Sequence, residues 1–281
     1  MCLVLDPATG EESHRFELPE QAPGPWQNLR CWGDYLVGTS GSYVLCANRH
    51  TGTILWRHEN NRAALSTAVG GERVYCAELI NLRRGEVEGK DVKTRAFDIR
   101  SGKVIWEIAN GSNVLYCDLL DRLVAARGIY DAADGQLHKP LPGLPKPVAG
   151  RPANGPGPLF VIGDKLFWGT AESFVVYDLN TGVIDGDRTS WVRRGCTTIR
   201  ASAHLVTTRV RANAAYIDLD SRQATSLWNI RPACLNNLYP ADGVFNAPNI
   251  LGGCTCNYTH TSQAYVPVGE IERASYGTAA Q

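Results

Sequence analysis

A five-residue turn signature recurs along the chain, and it constrains the fold more than any other feature. Asp6-Pro7-Ala8-Thr9-Gly10 is followed by Asn48-Arg49-His50-Thr51-Gly52, Asp98-Ile99-Arg100-Ser101-Gly102, Asp131-Ala132-Ala133-Asp134-Gly135 and Asp178-Leu179-Asn180-Thr181-Gly182. Asp218-Leu219-Asp220-Ser221-Arg222 is a degenerate sixth copy. The corner residues are spaced 42, 50, 33, 47 and 40 apart. A period of ~40–50 residues belongs to arrays in which each unit buries its apolar face only by stacking on a neighbour.

Each copy reads as a β-hairpin. A short apolar strand precedes the corner, as in Tyr43 to Ala47, Phe174 to Tyr177 and Ala215 to Ile217. The corner Asp or Asn can accept backbone N–H bonds, and the glycine can take a positive φ. A second strand follows, and in Thr53 to Trp56 and Lys103 to Trp106 a tryptophan falls four residues after the glycine. An earlier strand opens with Gly-Asp or Gly-Glu at Gly33-Asp34, Gly71-Glu72 and Gly163-Asp164. Strands thus come in clusters of about four, with no sustained helical period, and the chain is expected to be all-β. Thin sheets with two apolar faces survive by stacking radially, which is a β-propeller. Six to seven blades fit the 281 residues, with the first incomplete. Trp56 and Trp106 are expected to dock one blade on the next, since a tryptophan buries ~150–250 Å².

Two stretches break the rhythm. Leu82 to Val92 is charged and reads as a long hairpin loop. Residues 140–158 hold seven prolines and four glycines and read as a connection between blades, because proline removes a ladder donor. The repeat continues on both sides, so residues 1–281 are taken as a single propeller. Gly38-Thr39-Ser40-Gly41-Ser42 reads as a hairpin turn, since no helix follows it to make a phosphate loop.

Charge narrows the partners. Lys plus Arg and Asp plus Glu are both 28, and this balance argues against nucleic acid. No apolar run approaches the ~20 residues of a membrane span. Arg193, Arg194, Arg209 and Arg211 form a small basic set, expected at the solvated surface. Of nine cysteines, Cys2, Cys31, Cys46, Cys76 and Cys117 sit mostly in apolar strands, where a free thiol behaves as a small hydrophobe. Cys196, Cys234, Cys254 and Cys256 crowd the last part of the chain. No two of the six histidines have metal-ligand spacing, and the set Cys234, Cys254, Cys256 and His260 is tighter than ordinary zinc spacing.

The pattern of Ala96 to Trp106 (AFDIRSGKVIW) and Val44 to Trp56 (VLCANRHTGTILW) resembles the repeat of PQQ-type β-propellers. The likeness spans roughly residues 1–228. That family includes quinoprotein alcohol dehydrogenases and non-catalytic relatives such as the propeller lipoprotein of outer-membrane β-barrel assembly. Arg194-Gly195-Cys196-Thr197-Thr198, followed by the segment from Cys234-Leu235-Asn236-Asn237 to Cys254-Thr255-Cys256-Asn257-Tyr258, resembles the end of bacterial PQQ-binding-like propellers of planctomycete type. The resemblance implies a C-terminal portion of a longer, exported protein, placed in the periplasm or otherwise outside the cytoplasm. It further implies disulfides among Cys196, Cys234, Cys254 and Cys256, with zinc ligation and free thiols as the other readings. No signal peptide is visible, and Met1-Cys2-Leu3-Val4-Leu5 runs directly into the repeat, as an N-terminally incomplete propeller would.

A working quinoprotein site needs Ca²⁺ held by oxygen ligands, a carboxylate base and a flat stacking platform. In the family's dehydrogenases one side of that platform is a disulfide between adjacent cysteines, and this sequence has no Cys-Cys pair. Asp6, Asp98, Asp131, Asp178 and Asp218 are already explained as hairpin corners. Asp242, Asn246 and Asn257 remain as candidate cofactor-binding residues, and no catalytic or metal-binding residue is assigned. The expected function is therefore a non-catalytic binding or scaffold module for protein or carbohydrate, without cofactor. A PQQ- and Ca²⁺-dependent dehydrogenase, or a degenerate relative, is the alternative.

Overall fold

The computed structural model describes residues 2–6, 8–16, 24–79, 92–109, 111–125, 128–141, 157–169, 173–190, 199–210, 213–228, 230, 232, 238–241, 244–247 and 263–265. Strands dominate them. One short 3-10 turn, Asp118–Leu120, is the helical element among the described residues.

The first sheet has two strands, β1 (Cys2–Leu5) and β2 (Glu12–Phe16). Five four-stranded sheets follow, each with its strands side by side in chain order. They are β3 (Gln27–Trp32), β4 (Tyr35–Ser40), β5 (Tyr43–Asn48) and β6 (Ile54–Glu59); then β7 (Leu65–Gly70), β8 (Arg73–Glu78), β9 (Thr94–Asp98) and β10 (Val104–Ile108). The next are β11 (Leu115–Cys117), β12 (Arg122–Ala125), β13 (Gly128–Asp131) and β14 (Leu137–Pro140); then β15 (Gly157–Ile162), β16 (Lys165–Gly169), β17 (Ser173–Asp178) and β18 (Thr189–Ser190). The fifth is β19 (Arg200–Ala201), β20 (Leu205–Val210), β21 (Asn213–Asp218) and β22 (Ala224–Leu227). A three-stranded sheet, β23 (Tyr239–Ala241), β24 (Val244–Ala247) and β25 (Gln263–Tyr265), comes last. These are the meander sheets that the turn repeat demands: in the five four-stranded sheets the corner signature joins the third strand to the fourth, and in three of them Gly-Asp or Gly-Glu joins the first to the second.

The chain divides into two compact units: Met1–Trp168 with Val176–Asp185, and Gly169–Val175 with Gly186–Gln281. In the first unit, the first strands β3, β7, β11 and β15 lie alongside one another in succession. The middle strands are buried on both faces, which is why their sequences are nearly continuous apolar runs. Val44, Leu45, Cys46 and Ala47 of β5 are all buried. Val37, Val44, Cys46 and Trp56 of one sheet pack with Val74, Cys76, Phe97 and Ile99 of the next. Tyr75, Ala77, Ala96 and Trp106 in turn pack against Leu123, Ala125 and Ala132. In the second unit Ala214, Leu227, Leu238, Phe245 and Ala247 form a smaller core, tied by Thr207 Oγ1 donating to the Leu238 carbonyl at 2.6 Å.

Two details differ from expectation. β4 runs through Ser40, so only Gly41 and Ser42 turn, because Gly38 and Thr39 pair with Leu45 and Val44 in the ladder. Cys46, Cys76 and Cys117 are buried free thiols, whereas Cys2 is half-buried and Cys31 exposed. The reason for Cys31 is its place on β3, a first strand that is open to solvent along most of its length. Leu82 to Asp91, most of the Pro/Gly-rich connection (142–156) and Arg193, Arg194 and Arg211 lie outside the described residues.

Candidate functional site

The hairpin corners account for Asp6, Asp98, Asp131, Asp178 and Asp218. Asp98 Oδ1 accepts from the Ser101 amide at 2.7 Å and from the Ser101 hydroxyl at 2.6 Å. Asp178 Oδ1 accepts from the amides of Asn180 and Thr181, both at 3.0 Å, while its Oδ2 accepts from Lys165 Nζ at 2.7 Å. Asp218 repeats the pattern with Asp220 and Ser221. In each complete sheet a backbone bond also latches this corner to the first hairpin: Arg49 to Asp34, Ile99 to Glu72, Ala132 to Asp121, Leu179 to Asp164 and Leu219 to His204.

Donors aimed at a carboxylate favour its charged form. The Lys165 ammonium, then the Thr181 amide, hold Asp178 at about 2. Ser101 lowers Asp98, the Thr9 amide lowers Asp6, and the Ser221 amide lowers Asp218. A folded-state value below the unfolded one means stability that is present above the unfolded value of 3.8 and lost as pH falls towards about 2. The denaturation midpoint is therefore expected to be level down to about pH 4.5 and to drop below it. Asp178→Asn keeps an acceptor for the turn amides but loses the ion pair, and its drop should be shallower. An unchanged pH profile in that variant would count against the Lys165 contribution.

Trp56 and Trp106 reach the same corners from the preceding sheet. Trp56 Nε1 donates to the Ile99 carbonyl at 2.7 Å, and Trp106 Nε1 to the Ala132 carbonyl at 3.0 Å. The Trp56 indole lies so close over Gly102 (φ +68°) that a Cβ there would meet it at 2.6 Å. Gly135 (φ +75°) stands in the same relation to Trp106 at 2.7 Å. Buried thiols add weaker links, Cys46 Sγ to the Ile99 carbonyl at 3.6 Å and Cys117 Sγ to the Gly163 carbonyl at 3.2 Å. Burial pushes the Cys46 and Cys76 thiols up to about 12, so neither is a nucleophile at neutral pH. Arg73 on β8 grips both oxygens of Asp121 at 2.5 and 2.6 Å and donates to the Tyr75 hydroxyl at 2.8 Å. Tyr116 donates to the same Asp121 at 2.8 Å and stacks on Tyr75, with ring centroids 5.4 Å apart. Desolvation raises Tyr75 to about 12, so it stays a neutral phenol.

At the opposite end of these sheets lies an ion network that the sequence reading passed over. Glu78 is fully buried at the end of β8. Its Oε1 accepts from the Asn61 amide at 3.0 Å and from Arg95 at 3.1 Å, and its Oε2 from the Lys93 amide at 3.1 Å. Arg95, itself buried, also donates to Asn60 Oδ1 at 3.0 Å and to Glu107 Oε2 at 2.7 Å. Lys93 Nζ completes the set at 2.6 Å from Glu107, and with Arg95 holds that carboxyl below its usual range. Beside them His58 packs its ring 4.8 Å from Phe97, and burial, then Arg95, lowers its affinity for a proton. With three donors on Glu78 and all three acceptors of Arg95 in place, the network fastens the connection between two sheets; it is not poised for proton transfer. The signal available was a charged residue inside each of two apolar strands, Glu78 and Arg95. Arg209 corrects a second expectation: it is buried, because β20 is a covered second strand.

Among the first strands, β3 is the exposed one. Five of its six residues are exposed, whereas β7 is largely buried. Asn28 takes φ +53° at a bulge between Gln27 and Arg30, a conformation asparagine tolerates better than most residues. Its amide donates to Thr39 Oγ1 at 3.2 Å and to the Leu65 carbonyl of β7 at 3.4 Å. The bulge leaves Leu29, Arg30 and Cys31 exposed in succession. Trp32 at the end of the strand is half-buried and stacks on Tyr35 at 6.4 Å.

Of the candidate cofactor residues, Asp242 and Asn257 lie outside the described residues, as do Cys196, Cys234, Cys254 and Cys256. Asn246 sits half-buried in β24, where its amide donates to the Val244 carbonyl at 3.3 Å. Among the described residues no group of three or more His, Cys, Asp or Glu could hold a metal ion, and no helix is long and apolar enough to cross a membrane. The corner aspartates Asp98, Asp178 and Asp218 accept from turn amides, and buried Glu78 accepts from Arg95.

No protein-family model matches the chain. No curated protein matches it. Among solved structures, it is similar to BamB from Moraxella catarrhalis, with 15% sequence identity over 85% of this chain and 86% of that one, at a TM-score of 0.51. A computationally designed protein, Ika8, gives 12% identity over 90% of this chain and 99% of that one, at a TM-score of 0.44. Together with the four-stranded antiparallel sheets, the BamB likeness shows the fold: an all-β propeller architecture.

Proposed function

We propose that this chain is a non-catalytic binding module that holds a protein partner through the exposed first strand β3, and that it works outside the cytoplasm. The observation that carries the reading is β3 itself: a bulged, solvent-facing strand offers Leu29, Arg30 and Cys31 next to a rigid body of latched sheets. An apolar side chain beside a cation on a stiff support is a good protein-recognition surface. Asp98, Asp178 and buried Glu78 are committed to turns and ion pairs, which supports binding over turnover. The extracytoplasmic placement draws on the resemblance to exported PQQ-like propellers. Carbohydrate is the second reading, favoured by the Trp32–Tyr35 ring pair at the end of the same strand.

The test is site-directed photocrosslinking. A photoreactive residue at Leu29 in native cells should trap a discrete partner, and Arg30→Glu should reduce its yield several-fold. The same residue placed at exposed Leu55 should trap nothing specific. The purified protein should show no quinone absorbance and no alcohol-dependent dye reduction with PQQ and Ca²⁺. Saturable cofactor binding with turnover would replace the scaffold reading with the dehydrogenase one.

A further inference from the structure

We propose that Trp106, Tyr75 and Tyr116 form a redox relay: an electron lost from the buried Trp106 indole is replaced from Tyr116 through the Tyr75 ring, and Asp121 takes the Tyr116 proton. Strand register builds the relay. In the sheet of β7 to β10, Tyr75 of β8 pairs with Ala96 of β9, which pairs with Trp106 of β10. Ala96 is too small to separate its two neighbours, and their ring centroids lie 6.0 Å apart. Tyr116, on β11 of the next sheet, stacks on Tyr75 at 5.4 Å with the ring planes 21° apart. Both spacings are those of aromatic rings in contact. Trp106 and Tyr75 are buried, whereas Tyr116 is half-buried. Oxidisable rings thus run in contact from the core towards solvent.

The hydroxyl partners decide where the radical rests. Burial, then the bond to Asp121, keeps Tyr116 a neutral phenol, so its oxidation must release a proton. The Tyr75 hydroxyl accepts from Arg73 Nε at 2.8 Å, and a guanidinium cannot take a proton. The Tyr116 hydroxyl donates to Asp121 Oδ1 at 2.8 Å, and a carboxylate can. Arg73 also grips both oxygens of Asp121, which fixes the acceptor under the phenol. Tyr75 is therefore the bridge and Tyr116 the resting place.

The step balances. A one-electron oxidant from solution takes an electron from the Trp106 indole and is reduced. Tyr116 returns one electron through Tyr75 and passes its hydroxyl proton to Asp121. The indole is restored, and a neutral tyrosyl radical remains on Tyr116. A soluble thiol then gives it a hydrogen atom and becomes a thiyl radical, and Asp121 releases its proton to water. What the relay spares is the contact between sheets, because Trp106 Nε1 is the donor to the Ala132 carbonyl.

Trp56 is the same residue without the relay. It is 8% exposed, as Trp106 is, and donates to a corner carbonyl in the same way. In its sheet Val37 pairs with Cys46, which pairs with Trp56, so valine stands where the next sheet has Tyr75. The ring beside Trp56 is Phe97, at 5.7 Å, and phenylalanine is much harder to oxidise than tyrosine. A hole on Trp56 has no phenol in contact to fill it.

Photo-oxidation of the intact chain tests this. Brief illumination with tris(bipyridine)ruthenium(II) and persulfate supplies one-electron oxidants, and peptide mass spectrometry then locates oxidised residues. In the unmodified protein, oxidised Trp106 should be several-fold rarer than oxidised Trp56, and Tyr116 should carry modification; this comparison needs no variant. Tyr116→Phe keeps a ring in the stack and removes only the hydroxyl, so it should raise Trp106 oxidation several-fold and leave Trp56 unchanged. Asp121→Asn, which removes the proton acceptor at a position where asparagine tolerates the positive φ of 46°, should do the same. Equal oxidation of the two tryptophans in the unmodified protein would overturn the proposal. So would Trp106 oxidation indifferent to either variant, or an equal rise at Trp56.

Discussion

Glu78→Ala is expected to destabilise the protein by about 3–5 kcal/mol, the usual cost of stranding one member of a buried ion pair. Arg95 would remain buried with its charge balanced only by half-exposed Glu107, and the amides of Asn61 and Lys93 would lose their acceptor. Glu78→Gln should cost less, since one amide oxygen can still serve Asn61 and Arg95, although its NH₂ then meets the Lys93 amide donor-to-donor. Replacing the pair together, as Glu78→Leu with Arg95→Met, should recover a large part of the loss, because apolar groups need no partners. Urea denaturation of the four proteins measures this. A loss below about 1 kcal/mol for Glu78→Ala would mean that the carboxylate is hydrated and carries no more than a surface pair does.

Trp56→Ala should cost a similar ~3–5 kcal/mol, from lost indole burial and the cavity left against Phe97 and Ile99. The diagnostic experiment is a double-mutant cycle with Gly102→Ala. With Trp56 present, a Cβ at Gly102 meets the indole and also forces an L-residue to φ +68°, together costing about 2–4 kcal/mol. With Trp56 removed, only the backbone penalty of about 1–2 kcal/mol remains. The two losses should therefore be less than additive. Strict additivity would show that the indole moves aside and that the contact does not fix the sheets together.

The repeat made the fold legible because its signals are local. A corner aspartate caps its own turn two and three residues on, and glycine supplies the positive φ within the same hairpin. Those bonds need no distant partner, so the sequence shows them directly, down to Arg222, which holds φ +61° where the other copies have glycine. The expected position of Trp56 and Trp106 in the fourth strand followed from the same spacing. What spacing does not carry is which residue meets which across sheets. Glu78 and Arg95 are 17 residues apart and separated by a charged stretch of sequence, and each alone reads as a solvated strand position. Only when β8 and β9 are laid side by side, with the Asn60–Asn61 connection closing over them, do two charges become mutually necessary.

Sequence by itself determined the architecture: strand clusters, their meander order and the turn chemistry, all set by interactions within a few residues. Tertiary structure alone decided which charges are buried, that Arg209 lies inside, and that β3 bulges at Asn28 with its side chains exposed. The physical reason is range. Backbone turns are fixed by near neighbours, whereas burial, ion pairing and exposure depend on what a distant part of the chain covers or leaves open.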